Sequence, residues 1–110
     1  MNEVIVVTTN ELTGYEVVES YGEVFGLIVR SRNMFSNMGA SFRTIFGGEV
    51  AGYTKLLSES RVHAVERLKA AAVEKGANAV LAMRFDCNEL QGVMSEVAAY
   101  GTAVKVVKKG

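Results

Sequence analysis

GYTKLLSESRVHAVERLKAAAVEK, residues 52–75, is the stretch on which the fold turns. Tyr53, Leu57, Ala64, Leu68 and Ala71 recur at the three- and four-residue steps of an α-helix, flanked by Val65 and Ala72. Lys55, Glu59, Glu66 and Lys69 fall opposite them, so the pattern predicts an amphipathic helix from about Gly52 to Lys75. Gly76 follows at once, and glycine is the usual residue after a helix C-terminus.

Downstream the period changes from 3.6 to 2. Asn78–Asn88 (NAVLAMRFDCN) predicts a strand with Leu81, Met83, Phe85 and Cys87 on one face and Ala82, Arg84 and Asp86 on the other. Gln91-Gly92 reads as a turn, and Val93–Val107 as a last long strand, which makes an antiparallel hairpin.

Upstream, Asn33 is placed to cap a helix over Met34–Phe46, with Phe35, Met38, Phe42, Ile45 and Phe46 at helical spacing. Tyr15–Arg30 (YEVVESYGEVFGLIVR) predicts a long strand that Gly22 and Gly26 bend, and Glu3–Thr8 a short one. The sum is a single α+β domain over residues 1–110: two layers, a mainly antiparallel sheet with the long helix packed on one face.

A two-layer monomer leaves apolar residues over. Ala79, Ala82, Val93, Val97, Ala99 and Ala103 are assigned to the sheet face away from the helix, and Val62 and Val73 to the helix's polar back. The strand Glu3–Thr8 has no hairpin partner, so its edge is free to extend a neighbour's sheet. These features predict a homo-oligomer.

Twelve basic residues balance twelve acidic ones among 110 residues, and 49% of the chain is hydrophobic. A net charge of zero supplies no field to draw in nucleic acid or an anionic membrane, so neither is an expected partner. The N-terminus lacks a signal peptide's basic start, and no apolar run reaches the roughly 18 residues of a membrane span. A cytoplasmic protein is expected. One cysteine excludes an intrachain disulfide, and no zinc-type Cys/His spacing occurs.

Four places invite a chemical reading. IFGGEVAGYTKLL, residues 45–57, carries three glycines before a helix, yet it has Tyr53 where a phosphate loop needs lysine. It also follows a helix, not a strand, so it reads as a joint between helices. His63, the only histidine, lies four residues after Glu59 and three before Glu66, which puts three ligands on one helix face. A neighbouring subunit or water is needed to complete such a site, and a divalent metal is the one cofactor this spacing admits. The bland reading, a charged, solvated face with one histidine at its edge, is the preferred one, and no cofactor is expected.

Cys87 continues the Leu81–Phe85 row and reads as a small core residue, while alternation keeps it from chelating together with Asp86. Arg84, mid-strand on an apolar face, needs a partner: Asp86, Glu96, another subunit's acid, or a small anion at a subunit junction. No catalytic residues can be singled out.

Gly47-Gly48, Tyr53, Leu57, Arg61, GANAV (Gly76–Val80), Arg84-Phe85 and AYGTAV (Ala99–Val104) together resemble the YbjQ-like family over nearly the whole chain. YGEVFG (Tyr21–Gly26) and Asn33 fit the same pattern. These are small bacterial and archaeal proteins of unestablished function, often labelled "putative heavy-metal-binding". The resemblance implies a dodecin-subunit-like β-α-β-β core with extra short strands, assembled into a pentameric ring. Some relatives carry acids near positions 37, 44, 84 and 88, where this chain has Asn37, Thr44, Arg84 and Asn88. The expected role is a non-enzymatic oligomeric binding or assembly module. The alternatives are a divalent metal-binding protein using Glu59, His63 and Glu66, and a small-anion or enzymatic site at a subunit junction involving Arg84.

Overall fold

A computed structural model describes residues 3–31, 51–90 and 94–110. Its elements are β1 (Ile5–Val6), β2 (Tyr15–Ser31), α1 (Ala51–Glu74), β3 (Ala79–Leu90) and β4 (Met94–Lys108). The helix expected over Met34–Phe46, the Gly47-Gly48 joint and the Gln91-Gly92 turn lie outside the described residues.

The strands form one mixed sheet in the order β1-β3-β4-β2. The β3–β4 and β4–β2 pairs are antiparallel, and β1 runs parallel to β3. The α+β class with a mainly antiparallel sheet and one helix across it is therefore as expected.

β2 is a single 17-residue strand, with register shifts between Val17 and Glu19 and between Ser20 and Gly22 where it meets β4. Beyond them its alternation is regular: Val24, Gly26 and Ile28 are buried, while Phe25, Leu27 and Val29 are exposed.

The helix buries Leu56, Ser60, Ala64, Leu68 and Ala72, a strict four-residue ladder. Leu57, assigned to the buried stripe from sequence, is instead 46% exposed. A four-residue step drifts about 40° around a helix each time, so the buried ladder swings through about 160° from Leu56 to Ala72 as the helix crosses the sheet, and at its N-terminal end it faces Leu56 and not Leu57. The contact is also close. A Cβ on Gly26 would be driven into the Ala64 carbonyl oxygen and the Leu68 backbone nitrogen, so the strand needs glycine where the helix crosses. Ala64, Ala72, Ala99 and Ala103 line the same interface with almost no exposed surface.

The helix ends in a Schellman motif. Gly76 has φ +88°, its N–H donates to the Val73 carbonyl, and the Ala77 N–H donates to the Ala72 carbonyl. Ala77 and Ala72 both enter the core, which is the apolar contact that accompanies this cap. Asn78 then behaves as a strand residue by proxy: its amide donates to the Val106 carbonyl at 2.9 Å and accepts from the Val106 N–H at 2.8 Å. GANAV thus stops the helix, turns the chain and starts β3.

β3 breaks the predicted alternation. Its register against β4 shifts between Leu81 and Arg84, with Ala82 at φ 53°. The extra residue flips the phase, as bulges do. Leu81 consequently packs on the face away from the helix, while Met83 and Phe85 pack on the helix side. Cys87 pairs with Val97, a helix-side residue, but is exposed and not a core residue. At this level the core is supplied by Ile28 and Val97, from β2 and β4, and β3 lies beyond it. Phe85 is shielded instead by the Arg61 guanidinium, 5.3 Å above its ring.

The N-terminal strand has a partner within the chain. The Ile5 N–H donates to Asn78, Val7 donates to Val80, and the bulge returns the favour through Met83 to Val7 and Ala82 to Thr9. The strand has no hairpin partner, as expected, but β3, more than 70 residues on, pairs with it in parallel, and β1 forms one edge of the sheet. Ile5, Val7, Leu12 and Tyr15 then cover Ala79, Leu81, Val104 and Val106 in a second small core. Val97, Ala99 and Ala103, assigned from sequence to the face away from the helix, pack under the helix. That outer face remains apolar nonetheless, through Phe25, Leu27, Val29 and Tyr100.

Candidate functional site

Arg30 ends the helix-facing row Val24, Gly26, Ile28 of β2, so its side chain meets α1. Its Nε donates to Ser60 Oγ at 3.3 Å. Ser60 is fully buried, and its hydroxyl donates back to the Leu56 carbonyl at 2.9 Å, which satisfies it without leaving the helix. The Arg30 guanidinium also lies 3.2 Å from His63 Nδ1. A guanidinium has only donors, so Nδ1 accepts and the ring proton of neutral His63 sits on Nε2.

One turn further along the helix, Arg67 donates from Nη1 to the Leu27 carbonyl at 2.7 Å. β2 is the sheet's outer strand, and alternation aims the carbonyls of Tyr21, Glu23 and Leu27 away from β4. Lys75 occupies the first two, at 3.4 and 3.0 Å, so helix cations blunt this long edge. Between Arg30 and Arg67 opens a pocket of about 340 Å³ lined by Ile28, Val29, Arg30, His63, Glu66 and Arg67.

His63 and Glu66 therefore share this pocket, whereas Glu59 is exposed on the helix and does not line it. Among the described residues no three His, Cys, Asp or Glu side chains converge on a point where a metal ion would sit. Sequence spacing alone gave no signal for Arg30 as the neighbour of His63, because the two are 33 residues apart.

Arg84 is exposed, and its Nη1 donates to the carbonyls of Thr8 at 2.7 Å and Met83 at 2.9 Å. It pins the end of the N-terminal segment to the bulge, and its partners among the described residues are carbonyls, not the carboxylates expected. Asp86 and Glu96 are instead bridged by the Asn88 amide, at 3.2 and 3.3 Å.

The outer sheet face carries the other notable surface. Phe25, Leu27 and Val29 of β2 and Tyr100 of β4 are 53, 44, 50 and 38% exposed. The Phe25 and Tyr100 rings pair at 6.2 Å between centroids. With Ala98, Asp86 and Glu96 these aromatic and leucine side chains line a shallow groove of about 510 Å³. Among the described residues no helix is long and apolar enough to cross a membrane.

Comparison with known proteins places this geometry in a family. The sequence profile of the YbjQ_1 family, described as "Putative heavy-metal-binding", matches residues 4–107. The UPF0145 protein YjfJ of Lactococcus lactis subsp. lactis is 55% identical over 108 residues, covering 98% of this chain and 99% of its own. A UPF0145 protein of Acidothermus cellulolyticus is 52% identical over 102 residues, covering 93% of this chain and 94% of its own. Neither name states an activity. A crystal structure of a protein of unknown function from the DUF74 family of Pediococcus pentosaceus superposes with a TM-score of 0.56 at 13% identity, covering 94% of this chain and 98% of that one. At that identity the likeness shows the fold.

Proposed function

Because the chain belongs to the YbjQ-like family, whose relatives here carry no named activity, we propose that it works as a non-enzymatic assembly module in the cytoplasm, its subunits joined through the uncovered face of the sheet. The observation that carries this reading is the row Phe25, Leu27, Val29 with Tyr100 beside it, all substantially exposed on one surface. Together they present on the order of 400 Å² of apolar area, a size at which a surface patch is often functional. Burying it is worth about 10 kcal/mol gross before the costs of association. Val17, Val18 and Val107, each exposed by more than two-fifths, add apolar surface elsewhere on β2 and β4. The count of five subunits rests on the family resemblance.

Light scattering at micromolar concentration tests the reading. Wild type is expected as a stable multiple of the chain mass, and the double variant Phe25→Glu, Leu27→Lys as a folded single chain. A monomeric wild type overturns it.

A second reading, divalent metal binding, draws on the family's description and on Glu59, His63 and Glu66 sharing one helix. With the Arg30 guanidinium at Nδ1, only His63 Nε2 is open to a metal, and the remaining ligands must come from another subunit or water. Calorimetry with Zn²⁺, Cu²⁺ and Ni²⁺ on wild type and His63→Ala separates this reading from the first.

A further inference from the structure

We propose that the pocket between β2 and α1 binds a small oxyanion, a phosphate or carboxylate group held between Arg30 and Arg67. Three observations carry the assignment. Two guanidinium groups from different elements line one pocket, and their hydrogen-bond partners among the described residues are all neutral: a hydroxyl, an imidazole nitrogen and a carbonyl. Among the described residues that line the pocket, Glu66 is the one that offsets their charges, which leaves this lining net positive.

Arg30 is also pre-organised. Its Nε rests on the fully buried hydroxyl of Ser60, and that hydroxyl is itself tied to the helix backbone. A ligand meeting a fixed guanidinium loses less ordering entropy than one that must first recruit a mobile side chain.

Donor capacity is ample. Each guanidinium has five N–H groups; among the described residues Arg30 spends two on Ser60 and His63, and Arg67 spends one on Leu27. The planar forks suit the paired oxygens of a carboxylate or phosphate. Neutral His63 adds its Nε2–H as a donor at the same pocket, since Nδ1 is taken by Arg30. Glu66 opposes a high negative charge, so it sets the selectivity of the site without abolishing binding.

The test titrates the full chain with inorganic phosphate, and separately with acetate, at matched ionic strength with chloride as the control. Saturable millimolar binding of either oxyanion is expected, and the two titrations show which oxygen geometry is preferred. Arg67→Gln keeps a donor for the Leu27 carbonyl but removes the charge, and is expected to weaken binding about tenfold. Glu66→Gln changes an exposed side chain and is expected to tighten binding about threefold. Thermal melting of both variants confirms that they fold. Absence of saturation with both oxyanions overturns the proposal, as does binding that neither variant alters. Saturable Zn²⁺ binding that His63→Ala removes, with no oxyanion binding, assigns the pocket to a cation and also overturns it. None of these outcomes depends on the subunit contact, which light scattering reads independently.

Discussion

The two faces of this sheet are built from similar residues and meet different fates. Under the helix, Val24, Ile28, Val97 and Leu68 are at most 5% exposed, packed against alanines and the bare backbone of Gly26. On the outer face the N-terminal segment covers one end of the sheet, over Leu81, Val104 and Val106. The other end, with Phe25, Leu27, Val29 and Tyr100, has no such cover from the described residues. The difference teaches that hydrophobicity sets which residues want burial, while the reach of covering elements decides which obtain it. Small residues draw the helix into close contact, and it covers one face of the sheet only.

The sharpest way to break this comparison is Gly26→Ala. The added Cβ meets helix backbone, which cannot turn aside as a side chain would, so helix and sheet must separate. A loss of about 3 kcal/mol or more is expected in urea denaturation, given that overpacking typically costs 1–3 kcal/mol where side chains can yield. Wild-type stability would show that the close approach does not hold the layers together.

Two leucines sharpen the contrast. Leu68→Ala empties a fully buried position and is expected to cost about 2–5 kcal/mol. Leu27→Ala, at a position 44% exposed, is expected to change the stability of an isolated chain by only about 0.5 kcal/mol. The proposed assembly would bury that side chain, so on an assembled protein the Leu27 effect should grow. A Leu27 cost equal to that of Leu68 in the dissociated chain would dissolve the distinction between the faces.

The smallest effect is electrostatic. Tyr21 packs against the helix-side core, and partial burial first, then the carboxylate of Glu19, pushes its phenol above the usual value of 10.0. A raised folded-state value means the native state holds the proton longer. The corresponding stability is present below pH 10 and is lost as the pH rises through the folded-state value. Ultraviolet titration should find one of the four tyrosines ionising later than the others, and Tyr21→Phe should remove that late component. A late component that persists in the variant contradicts the assignment.

What the sequence by itself determined is local. The 3.6-residue period of the helix, its glycine stop, the length of β2 and the β3–β4 hairpin are written in neighbouring residues, because helix turns and strand pleats repeat over short spans. So is the surplus of apolar residues beyond what one helix can cover. Only the tertiary structure decided the rest. Leu56 in place of Leu57 follows from the path the helix takes across the sheet. The exchange of faces at Leu81 follows from one extra residue at Ala82, and a one-residue slip inverts every later side chain. The pairing of β1 with β3, and the meeting of Arg30 with Ser60 and His63, join residues 30 to 74 positions apart. No local period encodes such contacts, because they are fixed by the packing that lets the helix rest on Gly26 of the sheet.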